Sequence, residues 1–126
     1  MGRPTRQARG EMVGFAERAR HMTYIAHDAL ADIETDYLPG FNRFVRREPI
    51  GLVFVVAPWN YPYLTAVNAV WPALLAGNTV ILKHSHQTPL CAERFASAMA
   101  RAGVPDGAFQ PLHLTHEGTA ALMQHN

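Results

Sequence analysis

Cysteine is nearly absent from this sequence. Its 126 residues include one, Cys91, which excludes an internal disulfide and makes a reducing, cytoplasmic setting the expectation. Charge is sparse and balanced. Eleven Lys and Arg stand against ten Asp and Glu, so neither nucleic acid nor a membrane surface is an expected partner. Five arginines fall in the first twenty residues, but Glu11 and Glu17 interrupt them, as on a solvated helix face. No apolar run approaches the roughly 20 residues that a membrane span needs. The N-terminal segment also lacks the apolar stretch of a signal peptide. No repeat is visible, no G-x-G-x-x-G follows an apolar run, and no H-E-x-x-H is present.

What is present is enough apolar material for a core, 48% of the residues, in two kinds of pattern. From Gln7 to about Ile33, the residues Met12, Phe15, Ala19, Met22, Ala26, Ala29 and Ile33 recur at three and four, one face of a long amphipathic helix. Leu38-Pro39-Gly40 breaks the chain, and Phe41 to Glu48 reads as a solvent-touching edge strand. From Gly51 the period changes. Leu52 to Ala57 is continuously apolar, the pattern of a strand buried on both faces of a parallel sheet. Pro62 to Leu75 is helical but holds Pro72, which predicts two short helices. Thr79 to Leu82 is a second buried strand and Phe109 to Leu114 a third. Thr88-Pro89 reads as a helix cap followed by its first residue, with Gly103 closing that helix, and Thr115 could cap a last one.

These elements predict an α/β fold: three βα units of a parallel sheet with helices on both sides, preceded by a long helix and an edge strand. Residues 1–50 form the leading unit and 51–126 the sheet domain. In such sheets, ligands bind beyond the carboxyl ends of the strands. Pro58-Trp59-Asn60, Lys83-His84-Ser85-His86 and Thr115-His116 all fall there.

Within "VVAPWNYPYL" a single amide, Asn60, sits between Trp59 and Tyr61 and is fenced by Pro58 and Pro62. A side-chain amide held in this way could donate to an oxygen that gains charge in a reaction, or could simply bond its own turn. Lys83 could direct its ammonium to phosphate or ribose hydroxyls, or could snorkel to solvent. Cys91, Phe95, Ala98 and Ala102 step along one helix face, so Cys91 reads as core and not as a nucleophile. The pairs His84-x-His86 and His113-x-x-His116 lack the partners of a metal site, and none is expected.

Three segments in order, "REPIGLVFVVAPWNYP", "PALLAGNTVILKHSHQTP" and "AGVPDGAFQPL", closely resemble consecutive motifs of the NAD(P)-dependent aldehyde dehydrogenase superfamily, and are similar to its bacterial succinate-semialdehyde dehydrogenase-like members. "QARGEMVGFAERARHM" is similar to the helix that precedes them there. The resemblance implies a Rossmann-like cofactor domain, oxidation of an aldehyde to a carboxylate, and NAD or NADP as cofactor. It implies that Asn60 donates to the oxyanion of the thiohemiacetal. The backbone of Ala57, Pro58 and Trp59 would line the nicotinamide side of the cleft. Lys83 would contact the adenosine ribose or its phosphate, with Ser85 and His86 near the ribose 2′ position. Where many members carry an acidic ribose ligand, this sequence has His86.

The family's nucleophilic cysteine and general-base glutamate match no position here. The expectation is therefore a segment of such an enzyme, inactive alone. It would belong to a homo-oligomer in the complete enzyme, and by itself would self-associate or pair with a complementing fragment. The alternative is a non-catalytic interaction fragment or the relic of a truncated gene.

Overall fold

The computed structural model describes residues 2–125. Helix α1 spans Thr5–Leu30 and is followed by β1 (Ile33–Glu34) and β2 (Phe44–Val45). Then come β3 (Leu52–Ala57), α2 (Pro62–Leu75), β4 (Thr79–His84), α3 (Pro89–Arg101), β5 (Phe109–Pro111) and α4 (His116–Met123). Strands β3, β4 and β5 form one parallel sheet in that order. The α/β class, the parallel sheet and the leading helix all match the reading of the sequence.

The sheet is covered differently from expectation. Both crossover helices lie on one face. The inward side chains of β3 and β4, Val55, Ala57, Val80 and Leu82, pack there against Ala66 and Val70 of α2 and Ala92, Phe95 and Met99 of α3. The reason is topological: strands laid down in sequence order by crossovers of one hand place every helix on the same side. The other face carries Leu52, Phe54, Val56 and Ile81, and is bordered among the described residues by the end of α4, through Leu122 and Met123, and by His125. Leu52 is 59% and Val56 51% exposed, so β3 is buried on one face where its unbroken apolar run predicted two.

Helix α1 lies on α2, outside the sheet layer. Phe15, Ala19, Met22 and Ala26 of the predicted stripe are buried or half-buried, whereas Met12 and Ala29 are exposed. The helix stops at Leu30, because Ile33 extends and pairs with Val45 in a two-stranded antiparallel ribbon. The segment Phe41 to Glu48 thus contributes a short ribbon strand and not an edge to the main sheet. Trp71 Nε1 donates to Thr23 Oγ1 at 2.8 Å, and Arg18 Nη1 to Asn68 Oδ1 at 2.9 Å, fixing α1 against α2.

Proline 72 does not divide α2, which runs as one helix. A proline in the closing turns forfeits one amide bond, and the ladder resumes with Ala76 N–H donating to the Pro72 carbonyl at 3.0 Å. Gly77 then reverses the chain at φ +83°, where a Cβ would also lie 2.9 Å from the Pro49 ring. Asn78 Oδ1 accepts from the amides of Ile50 (2.8 Å) and Gly51 (3.1 Å), setting β4 in register with β3. Phe95 is the hub of an aromatic cluster, with ring centroids 5.6 Å from Phe15, 5.7 Å from Tyr63 and 6.1 Å from Phe109. The buried residues of α3 are Ala92, Phe95 and Met99. Ala98 and Ala102 are exposed and Cys91 half-buried, so the stripe is rotated from the one the sequence suggested.

Candidate functional site

The carboxyl ends of the three strands lie side by side. Ala57 is in register with His84, and one further bond, Ser85 N–H to the Ala57 carbonyl at 3.0 Å, carries the ladder past β3. Likewise Leu112 N–H donates to the Leu82 carbonyl at 2.9 Å beyond β5, which is shorter than its pattern predicted.

After Ala57 the chain turns through Pro58, Trp59 and Asn60 into α2. Pro62 is buried at the first helical position. The free amides of that helix start are met from a distance: Glu11 Oε1 accepts from Tyr63 N–H at 2.8 Å and from Leu64 N–H at 3.2 Å. Arg3 bonds the other oxygen of Glu11 at 3.3 Å and lies 3.8 Å over the Tyr61 ring. Asn60 is exposed, and its side-chain amide makes no hydrogen bond among the described residues. It is not spent on its own turn. Sequence reasoning missed Glu11, since a helix residue 52 positions away leaves no local signal of this cap.

Strand β4 continues through Lys83 and His84, two residues further than predicted, and both are buried. Lys83 is 4% exposed yet makes no ion pair or hydrogen bond among the described residues. It lines a cavity of about 550 Å³ together with His84, His86, Pro89, His113, Leu114, Thr115 and His116. Among the described residues no carboxylate lines this cavity. Glu93 is held outside the lining by His113, at 2.6 Å between Nε2 and Oε1. His84 is 2% exposed, and neither ring nitrogen has a hydrogen-bond partner. Burial, then the neighbouring Lys83 charge, push its pKa down to about 4, and the nearby Pro62 carbonyl opposes this only weakly. His84 is therefore a neutral ring beside a cation.

His86 is exposed at the cavity mouth, and its ring meets that of His116 edge to face, centroids 6.0 Å apart. Ser85 does not line the cavity. Its Oγ accepts from Gln87 N–H at 3.3 Å and its carbonyl from Thr88 N–H at 2.9 Å. Thr88 precedes α3 as predicted, but its hydroxyl is buried without a partner and does not cap the helix. Thr115 does cap α4, accepting from Gly118 N–H at 3.1 Å.

The single crevice expected from the sequence is thus two neighbouring features. Lys83 and His86 share a cavity with His116. Ala57, Pro58, Trp59 and Asn60 stand at the adjacent strand end and do not line it. Among the described residues no three His, Cys, Asp or Glu converge as a metal site, and no helix is long and apolar enough to cross a membrane. Cys91 has its thiol pKa raised by burial, and burial also raises that of Tyr63 beside it, to about 12.

The profile of the aldehyde dehydrogenase family matches residues 1–126. The chain is 35% identical to a succinate-semialdehyde dehydrogenase [NADP(+)] of Mycobacterium tuberculosis over 98% of its length and 28% of the relative's. It superposes on 28% of the succinic semialdehyde dehydrogenase of Streptococcus pyogenes, solved with NADP+, at a TM-score of 0.89 and 23% identity over all of this chain, a likeness of fold. It also matches 24% of the NADP-dependent glyceraldehyde-3-phosphate dehydrogenase of Bacillus halodurans, complexed with NADP, at a TM-score of 0.74 and 34% identity over 87% of this chain. The chain therefore spans about a quarter of the length of these relatives.

Proposed function

The chain belongs to the aldehyde dehydrogenase family, and we propose that it forms the part of an NADP-using aldehyde dehydrogenase that holds the cofactor's adenosine half and carries the oxyanion donor. The observation that carries this reading is Lys83: a residue only 4% exposed, without a counter-ion among the described residues, lining a cavity to which no carboxylate of the described residues contributes. The cavity is large enough for a nucleotide fragment and lies at the strand ends, where this class of sheet binds ligands.

In the complete reaction the cofactor accepts the hydride that leaves the aldehyde carbon. This chain's contribution is positional. Lys83 and His86 bind phosphate or ribose oxygens. Asn60, its amide free and its turn pinned by Glu11 and the two prolines, donates to the substrate oxygen as that oxygen becomes negative. Cys91 is not the reacting thiol. It lies on α3 beside Tyr63 with its pKa raised, the opposite of what a nucleophile needs. Nucleophile and general base come from outside residues 1–126. Within the family, the succinate-semialdehyde-type relatives favour a small aldehyde that carries an acid group as substrate.

The test joins residues 1–126 to a matching remainder of a relative. Asn60→Ala should lower kcat by about 10²–10³ with little change in aldehyde KM. His86→Glu should shift the ratio of kcat/KM for NADP+ over NAD+ toward NAD+ by about fivefold to thirtyfold, through repulsion of the phosphate. Unchanged kcat in the first variant or an unchanged ratio in the second would remove that residue from its role.

A second reading, a non-catalytic fragment that pairs with another polypeptide, is favoured by the uncovered sheet face at Leu52 and Val56.

A further inference from the structure

The cavity around Lys83 has a wall that the site described so far does not use. His116 opens α4, and its ring stands edge to face with His86 across the cavity mouth, 6.0 Å between centroids. The two residues come from different strand–helix loops, 30 positions apart, so their contact is a product of the fold. Around them the lining is cationic or neutral. Lys83 lines the same cavity without an ion pair among the described residues, His84 is a neutral ring, and Thr115 turns its hydroxyl to Gly118 N–H. The nearby acids lie outside this lining, Glu93 being taken up by His113 and Glu117 standing on the first turn of α4. The first amides of α4, those of His116 and Glu117, have no partner among the described residues. An ammonium without an ion pair among the described residues, two imidazole rings and a helix start thus border one cavity.

We propose that His116 is a specificity-determining residue of this site: together with His86 and Lys83, it binds a phosphomonoester carried on the ribose of the bound adenosine. The proposal rests on the cofactor reading above and adds a residue from α4 to it. An uncharged ribose would gain little from two imidazole donors and a helix start, whereas a dianionic phosphate would gain a charge-assisted bond from each. Recognition would then be split between two loops. Loss of one should weaken the phosphate-bearing ligand selectively and leave the adenosine contacts in place.

The experiment follows the histidine ring and Lys83 side-chain signals of the chain by NMR during titration with 2′-AMP, 5′-AMP and adenosine. We expect saturable shifts at Lys83, His86 and His116 with 2′-AMP, and no His116 response to adenosine. His116→Ala should weaken 2′-AMP on the order of tenfold, the value of one charge-assisted bond, and change adenosine binding by less than twofold. His116→Lys, which again offers the phosphate a hydrogen-bond donor, should recover most of the 2′-AMP affinity. Shifts at Lys83 and His86 with a silent His116 ring would overturn the proposal and leave the cofactor reading standing. So would an equal weakening of 2′-AMP and adenosine by His116→Ala, which would mark a structural role. The absence of any saturable shift at Lys83 would overturn both.

Discussion

Glu11 Oε1 accepts the backbone N–H of Tyr63 at 2.8 Å, joining positions 52 residues apart. The same oxygen takes Leu64 N–H, and its partner oxygen takes Arg3. A carboxylate of α1 thereby does for α2 what a cap residue normally does locally, because Tyr61, at the cap position, offers no side-chain bond. Glu11→Ala should destabilise the chain by about 1–3 kcal/mol, the cost of leaving partly buried amides and Arg3 without their acceptor. The urea midpoint measures this. A change below about 0.5 kcal/mol, the range of ordinary surface substitutions, would mean that water replaces the carboxylate at no loss.

His84 makes the fold sensitive to acid. Its folded pKa is lowered to about 4 from 6.5, so the unfolded chain takes up a proton that the folded chain refuses. Its stabilising effect is complete above pH 6.5 and is lost as pH falls toward 4. Between pH 7 and pH 5 the native chain should lose on the order of 1–2 kcal/mol relative to His84→Phe. Paired urea titrations at the two pH values give the difference, and parallel pH dependence of the two proteins would refute the assignment.

Cys91 should react slowly. Its thiol pKa is raised by burial, so little thiolate exists near neutrality. Alkylation by iodoacetamide at pH 7.5 should be at least tenfold slower in the folded chain than in urea, and accelerate as pH rises above 9. By the same reasoning the 126-residue chain alone should reduce neither NAD+ nor NADP+ with any aldehyde. Fast alkylation, or turnover abolished by Cys91→Ser, would reverse this view.

Alkaline pH should weaken the fold through Tyr63. Burial, with the Cys91 thiol as the next contribution, raises its pKa from 10.0 to about 12. The unfolded chain therefore releases its phenolic proton first. The stability tied to the neutral phenol is complete below pH 10 and lost as pH rises through 12. Tyr63→Phe should flatten the fall of the urea midpoint between pH 9 and 11. An identical slope in both proteins would show that the phenol ionises as freely folded as unfolded.

The uncovered sheet face should drive self-association. Leu52 and Val56 point away from α2 and α3 and are 59% and 51% exposed, beside Phe54 and Ile81. An apolar patch of this kind on an edge strand favours pairing between copies. Sedimentation velocity should show an oligomer that grows with concentration, and Leu52→Lys with Val56→Lys should return the chain to a monomer. A wild-type monomer at every concentration would show that the end of α4 already shields the face.

Much of this architecture is local and was therefore legible in the sequence. The apolar run at 52–57, the reversal at Gly77, the start of α3 at Pro89 and its end at Gly103 depend on period and on backbone freedom within a few residues. The apolar strand runs located Asn60 and Lys83 at strand ends, and the family motifs implied their roles. Tertiary structure decided what depends on neighbours far along the chain. Ile33 continues the periodicity of α1, yet it leaves the helix because Val45 offers a strand partner. The apolar alternates of β3 were open to burial on either side, and the single hand of two successive crossovers covered only one. Lys83 and His84 are polar by composition, and nothing adjacent to them indicates that both would be buried, lining a cavity with the β5–α4 loop. The contact of His86 with His116 has the same origin. Local chemistry sets the conformation of each segment, but depth and juxtaposition arise only when separate segments exclude water from one another.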